Sequence, residues 1–258
     1  MKCAIVTGAG SGIGRGVALR LAWEGYGVAL VGRRAGPLEE VAVLMRREGG
    51  EARVMAADVT KDGEMAVMVA KAVNAFGRVD VLVNCAGSAP AAPLAKLTAE
   101  KWREIMETNL SSAFYTMRAV WPVMQRQYEE ARAGGAAGTQ AGAERGMERG
   151  IGGVIVNISS LASKDPFAGL GAYGAAKAGL NMLTLAAGRE GKDAGIRVVA
   201  IAPAAVDTAM FHALVGGKPV QEGVMLTVED VVEMVMAAID GALRHCSGDT
   251  IFVHRRPR

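Results

Sequence analysis

The apolar runs of this chain do not alternate with polar residues. CAIV (Cys3–Val6), VALVG (Val28–Gly32), ARVMAA (Ala52–Ala57), VDVLVN (Val79–Asn84), GVIVNIS (Gly153–Ser159), RVVAIA (Arg197–Ala202) and TIFV (Thr250–Val253) are close to continuous in hydrophobicity. A strand with one wet face alternates; a strand apolar throughout is covered on both faces, as in a parallel sheet. Amphipathic segments of helix length separate the runs, at 13–24, 37–48, 62–76, 99–127, 172–187 and 228–243. Parallel strands need such crossovers, because a tight hairpin returns the chain antiparallel. The pattern predicts the α/β class: a doubly wound parallel sheet of about seven strands with helices on both faces. The rhythm never divides into two compositions, so residues 1–258 are read as a single domain. It is interrupted once. Residues 134–153 hold eight glycines and almost no large apolar side chain. Such a stretch cannot bury enough surface to offset its ordering entropy, so 130–151 is expected to be a flexible surface insertion.

Directly after the first apolar run stands TGAGSGIGRG, Thr7–Gly16. A phosphate-binding P-loop would need Gly-Lys five residues past its first glycine, but Ile13 follows Gly8 at that distance and Arg15 follows Gly10. The dinucleotide pattern GxGxxG fails at the same two residues. What fits is Gly8-xxx-Gly12-x-Gly14, placed between a strand and an amphipathic helix (Ile13, Val17 and Leu21 against Arg15, Arg20 and Glu24). A strand, a glycine turn and a helix start aim bare N–H groups and a positive helix end at one point, which suits a pyrophosphate.

Composition narrows the partners. A net charge of +3 is too small to imply nucleic acid or a membrane surface, and the basic end His254-Arg-Arg-Pro-Arg258 is expected to be solvated. Three scattered cysteines, Cys3, Cys85 and Cys246, form neither a zinc spacing nor a disulfide framework, so no metal is expected and a reduced cytoplasmic setting fits. The first strand opens by residue 3, which leaves no room for a signal peptide, and no run of 18 apolar residues suggests a membrane span.

Ligands of an open parallel sheet gather beyond the carboxyl ends of the strands. There lie Asn84-Cys85-Ala86-Gly87, Ser159-Ser160 and Pro203-Ala204-Ala205-Val206-Asp207-Thr208, and a helix opening with Tyr173-Gly-Ala-Ala-Lys177. Four residues apart on a helix, Tyr173 and Lys177 share a face. A lysine cation there is expected to lower the phenol's pKa toward the range of a general acid/base. Ser160, thirteen residues before Tyr173, stands where a hydroxyl could hold a substrate oxygen against that phenol.

Taken together, these elements resemble the short-chain dehydrogenase/reductase family in its classical form, over the whole chain except 130–151. Gly8-xxx-Gly12-x-Gly14 resembles its cofactor turn. Asn84-Cys85-Ala86-Gly87 resembles its NNAG element with a cysteine for the second asparagine. Ser160, Tyr173 and Lys177 stand at its catalytic spacing, with Asn109 as fourth member. The resemblance implies a Rossmann-like domain and a nicotinamide-dependent oxidoreductase acting on a carbonyl or secondary alcohol. Tyr173 would exchange the proton, Ser160 would position the reacting oxygen, Lys177 would hold the nicotinamide ribose, and Asn109 would anchor a water chain. The expected cofactor contacts are Gly8, Ser11, Gly12, Ile13, Gly14, Arg33, Asp58, Val59, Asn84, Ala86, Gly87, Tyr173, Lys177, Pro203, Val206 and Thr208. Asp58 stands at the adenine position and Thr208 at the carboxamide position, in a PGxxxT-like segment where Ala204 replaces the glycine. Reduction of a 3-oxoacyl thioester is one activity of the family.

The end of the second strand bears on cofactor choice. Gly32 occupies the place where NAD-preferring relatives carry an acid, and Arg33 follows. A guanidinium can bond a 2′-phosphate with charge assistance, so NADP(H) is expected over NAD(H). The substrate-facing segments 88–97, 161–167 and 209–226 are mostly small and apolar, with Lys164 and His212 as polar exceptions, and point to an uncharged or moderately apolar ketone. Helices 99–127 and 172–187 are apolar beyond one stripe (Ile105, Phe114 and Met117; Leu180, Met182 and Leu183), which predicts a homodimer or homotetramer. Two rival readings are a non-catalytic NADP(H)-binding sensor or scaffold, and a nucleic-acid binder resting on Arg33-Arg34 and the tail. The first leaves the retained Asn109, Ser160, Tyr173 and Lys177 without purpose; the second lacks a basic stripe or aromatic platform.

Overall fold

A computed structural model describes residues 1–135, 152–216, 223 and 225–255. Seven strands form its sheet: β1 Cys3–Thr7, β2 Gly27–Gly32, β3 Ala52–Ala56, β4 Val81–Asn84, β5 Gly153–Ile158, β6 Ile196–Pro203 and β7 Thr250–Val253. All pairings are parallel, in the order β3-β2-β1-β4-β5-β6-β7. The chain leaves β1 toward one edge and, after crossing to β4, builds toward the other. That reversal between β1 and β4 opens a crevice at the strands' carboxyl ends.

Among the described residues six α-helices precede β6: α1 Gly12–Trp23, α2 Ala35–Arg47, α3 Asp62–Phe76, α4 Ala99–Met106, α5 Ser112–Gly135 and α6 Gly171–Glu190. Two more, α7 Ala209–Leu214 and α8 Val228–Ile239, follow β6. The period of two along each strand divides the core. Ala4, Val6, Val28, Leu30, Val81 and Val83 pack with Val17 and Leu21 of α1, Leu38 of α2 and Val231 and Val235 of α8. Ile5, Ala29, Val31, Leu82 and Ile155 face the other way, against Met65 and Val69 of α3 and Met117, Val120 and Met124 of α5. Both faces of every central strand are therefore dry, which explains the unbroken apolar runs.

The amino ends of the strands are fastened by polar groups. Asp80, fully buried, accepts from the Cys3 backbone N–H at 2.8 Å and from Arg78 at 2.7 and 2.8 Å. Gln127 of α5 bonds both the N–H and the C=O of Val79 and reaches the Gly152 carbonyl, each at 2.8 Å. These contacts tie β1, β4, β5 and α5 together below the sheet.

Several boundaries differ from expectation, among them the end of α6, which runs to Glu190 and not 187, and α7, which lies in an expected loop. The segment expected as one helix at 99–127 is α4 and α5 joined by a π turn, Glu107–Ser111. It continues to Gly135, so 130–135 of the expected insertion is helical, while 136–151 lies outside the described residues. The last helix ends at Ile239, four residues early, because Asp240 and Gly241 close it, the glycine at φ +89°. No helix among the described residues is long and apolar enough to cross a membrane.

Candidate active site

The glycine turn is built by removing side chains. Gly8 (φ +66°) and Gly12 (φ +51°) adopt left-handed backbone that disfavours any other residue. A Cβ on Gly14 would fall 2.4 Å from the Gly8 carbonyl oxygen, and one on Gly8 would lie 3.0 Å from the backbone of Ala86. The Thr7 hydroxyl accepts from the Cys85 and Ala86 N–H groups at 3.0 and 3.1 Å, locking the turn to the segment after β4. Ser11 is the N-cap of α1 but gives it no side-chain cap, and no acid stands in the first turn. The positive helix end is thus left uncompensated, and Ser11, Gly12 and Ile13 line a cleft of about 630 Å³. Bare amides, a helix start and absent Cβ atoms fit a nicotinamide dinucleotide's pyrophosphate.

The opposite wall is built from side chains. Ser160, just past β5, accepts the Ala162 N–H at 3.1 Å and hydrogen-bonds the Tyr173 phenol. Gly174 permits this approach, since a Cβ there would sit 2.6 Å from the Ala162 carbonyl. Lys177, one turn further along α6, is buried, donates to the Ile158 carbonyl at 2.7 Å and lies 5.8 Å from the Tyr173 ring centre. Burial drives its pKa down to about 8, against a smaller upward effect of Cys85. The expected lowering of Tyr173 is corrected here: burial pushes its phenol above the ordinary value, and the Ser160 bond recovers only part. Desolvation is the largest effect on both groups.

Asn109 sits in the π turn, fully buried, with its amide donating to Ser88 O and Ile105 O at 2.9 Å and its oxygen accepting the Ser88 N–H at 3.2 Å. A Cβ on Gly87 would come within 2.9 Å of Asn109 Oδ1 and 3.8 Å of Lys177 Nζ. Glycine at 87 therefore lets these two side chains meet beside the cleft. Thr208 caps α7 through the Phe211 N–H at 3.3 Å, and its methyl faces Gly12 across the opening.

Gly8, Ser11, Gly12, Ile13, Ala86, Gly87, Asn109, Ser160, Tyr173, Lys177, Pro203, Val206 and Thr208 thus line one cleft. Gly14 lies beneath it as a packing glycine, its N–H bonded to Cys85. Asn84 turns inward: its amide donates to Asn157 at 2.9 Å and its oxygen accepts from Thr116 at 2.6 Å, inside the sheet–helix layer. Arg33, Asp58 and Val59 stand away from the cleft, beyond the ends of β2 and β3. Burial raises the Asp58 carboxyl, but bonds from Thr60 and the charges of Arg33 and Lys61 outweigh it and hold the group below the usual range. Thr7 is a contributor that motif spacing passes over, although its place at the tip of β1 marks it.

His254 and Arg255 are exposed, as expected of a solvated end, and they also line the cleft; Arg255 pairs with Asp230 at 2.9 Å, and 256–258 lie outside the described residues. Applying the carboxyl-end rule to β7 as well would have found both from sequence.

Comparison with known proteins agrees with this geometry. A family model described as short chain dehydrogenase matches residues 2–137 and 134–218. A 3-oxoacyl-(acyl-carrier-protein) reductase of Staphylococcus epidermidis is 35% identical over 216 residues, 83% of this chain and 78% of that protein. Among solved structures, a 7α-hydroxysteroid dehydrogenase complexed with NADH and 7-oxo glycochenodeoxycholic acid superposes with a TM-score of 0.82 at 25% identity, covering 98% of this chain and 92% of that one. A dehydrogenase/reductase from Sinorhizobium meliloti 1021 gives 0.81 at 27% identity, covering 98% and 93%. With its seven parallel strands, its glycine turn and its Ser-Tyr-Lys wall, this chain belongs to the short-chain dehydrogenase/reductase family and is one of that family's oxidoreductases.

Proposed function

We propose that the protein is an NADP(H)-dependent oxidoreductase interconverting a carbonyl compound and a secondary alcohol, with Tyr173 as the proton donor and acceptor. The observation carrying this reading is that Ser160, Tyr173 and Lys177 face the same cleft as the uncapped start of α1. The bound nicotinamide supplies or takes the hydride. Ser160 holds the substrate oxygen beside the phenol, and Tyr173 gives that oxygen its proton during reduction. A phenol raised by burial is fully protonated at neutral pH, which suits the reductive direction. Lys177, held by the Ile158 carbonyl, would bond the nicotinamide ribose hydroxyls, with Asn109 behind it as an anchor for proton resupply. Thr208 and Val206 would meet the carboxamide side, and Ser11, Gly12 and Ile13 the pyrophosphate.

The NADP(H) preference rests on Arg33, exposed at the end of β2 next to Gly32, where its charge is felt by the Asp58 carboxylate. Reduction of a 3-oxoacyl thioester is the specific activity suggested by the Staphylococcus relative. Phe114 on α5 and Met182 on α6 stay 41% and 65% exposed, which supports assembly of a homodimer or homotetramer through those helices. The three cysteines are free, consistent with the cytoplasm. The test is oxidation of NADPH and of NADH against a panel of ketones and 3-oxoacyl thioesters. Turnover abolished in Tyr173→Phe, with cofactor binding retained, supports the reading; cofactor binding without turnover of any carbonyl by the unaltered protein rejects it in favour of a sensor.

A further inference from the structure

The cleft's walls are largely apolar, with Leu161, Phe167, Met210, Phe211 and Leu214 among the lining side chains. Its ionisable side chains are unevenly distributed. Lys164, Lys177, His254 and Arg255 line it against a single carboxylate, Asp165. Two of these are already engaged: Lys177 is bonded to the Ile158 carbonyl and Arg255 to Asp230. Outside the lining, His212 on α7 is bonded to Asp207 at 2.7 Å.

Lys164 differs from them. It closes the short 3-10 turn Leu161–Ser163 that begins at Ser160, so the backbone placing the reacting hydroxyl also places this ammonium. Its Nζ rests 5.6 Å from the centre of the Phe252 ring on β7. Neither Asp165 nor any other carboxylate among the described residues forms an ion pair with it. Phe252 and His254 are two apart at the end of β7, the spacing that puts side chains on one face of a strand. An ammonium held over an aromatic ring, in the wall of an apolar cleft that an imidazole also lines, is a receptor for a negative charge.

We infer that the substrate is amphipathic: an apolar carbonyl compound carrying an anionic group remote from its carbonyl, with Lys164 as the anchoring cation and His254 lining the same cleft. The inference rests on the reductase reading and deepens it, replacing the uncharged ketone expected from the loop composition with an acid. A carboxylate and a phosphate ester share the required chemistry.

The experiment measures steady-state reduction, with saturating NADPH, of a medium-chain oxo-carboxylic acid, its methyl ester, and the corresponding oxo-alkyl phosphate. The acid or the phosphate is expected to exceed the ester in kcat/KM by at least about fivefold, the scale of one partly exposed ion pair, mainly through KM and less at high salt. Lys164→Gln should bring the ratio toward one and Lys164→Arg should keep it, whereas Lys71→Gln, on the exposed side of α3, should leave it as it is. Preference for the phosphate over the carboxylate identifies the anion. An ester reduced as well as both anions, or a preference untouched by Lys164→Gln, overturns the inference while leaving the reductase standing. No turnover of any of the three, or of neutral ketones, removes the reductase reading and the inference together.

Discussion

The two ends of the same sheet are built on opposite principles. At the amino ends, polar groups are matched: Asp80 is saturated by Cys3 and Arg78, and Gln127 closes the backbone of Val79. At the carboxyl ends the mismatch is left standing. The start of α1 has no cap and no acid, Lys177 is buried to the point of losing much of its affinity for a proton, and the Tyr173 phenol is raised. One end holds the fold together, and the other spends stability to hold groups ready for a ligand. The contrast teaches where a substitution will be felt, in stability or in turnover.

The sharpest test of the contrast is Tyr173→Phe, which removes the proton and almost no volume. It should lower kcat by about a thousandfold, within the range of general acid–base catalysis, with the urea midpoint nearly unchanged. A loss below tenfold would mean that another group delivers the proton. At the far end, Asp80→Ala should do the reverse, since it strands the buried Cys3 N–H and releases Arg78. It should cost about 2–3 kcal/mol in urea unfolding, with kcat preserved in the protein that remains folded. An unfolding curve superposable on the parent's would show that the clasp holds nothing.

Lys177→Met brings both ends of the argument into one residue. In the unfolded chain the lysine ionises near 10.5, in the fold near 8, so between those values the unfolded state binds more protons and stability rises with pH. Below pH 8 the penalty is present in full. Methionine avoids it but leaves the Ile158 carbonyl without its donor, so the variant should be about 1–2 kcal/mol more stable at pH 7 and should lose that advantage toward pH 10.5. Activity should fall at the same time. Equal stability of the two proteins across that range would deny that the site is strained. The smallest effect is expected from Arg33→Ala, which should weaken NADPH about tenfold and NADH hardly at all in a titration, a cost of about 1.4 kcal/mol. Tighter NADH binding by the parent protein would reverse the cofactor assignment.

How far the sequence could be read follows the same divide. Strands buried on both faces announce themselves, because nothing polar survives between two covering layers, so runs such as VDVLVN and TIFV predict β4 and β7 within two residues. The glycine turn and the Tyr173–Lys177 pair can be picked out because their spacings are fixed by one turn and one helix. Burial is not legible in spacing, and burial decides the direction of the Tyr173 shift. The fate of Asn84 depends on β5: the residue lies opposite Asn157 in the register, which only the strand order reveals. Lys164 and Phe252 are separated by eighty-eight positions and meet only because β7 closes the sheet's edge.

The π turn before α5 settles an arithmetic problem in the sequence. Ile105, Asn109, Ala113 and Met117 are all buried, yet they recur every fourth residue. On an uninterrupted α-helix, twelve residues at about 100° each would leave the last of them roughly 120° around the cylinder from the first. One residue absorbed into the wide turn takes back about 100° of that drift. The four side chains consequently form a straight seam, and the asparagine is carried within it at a fixed azimuth, aimed by the winding of the backbone.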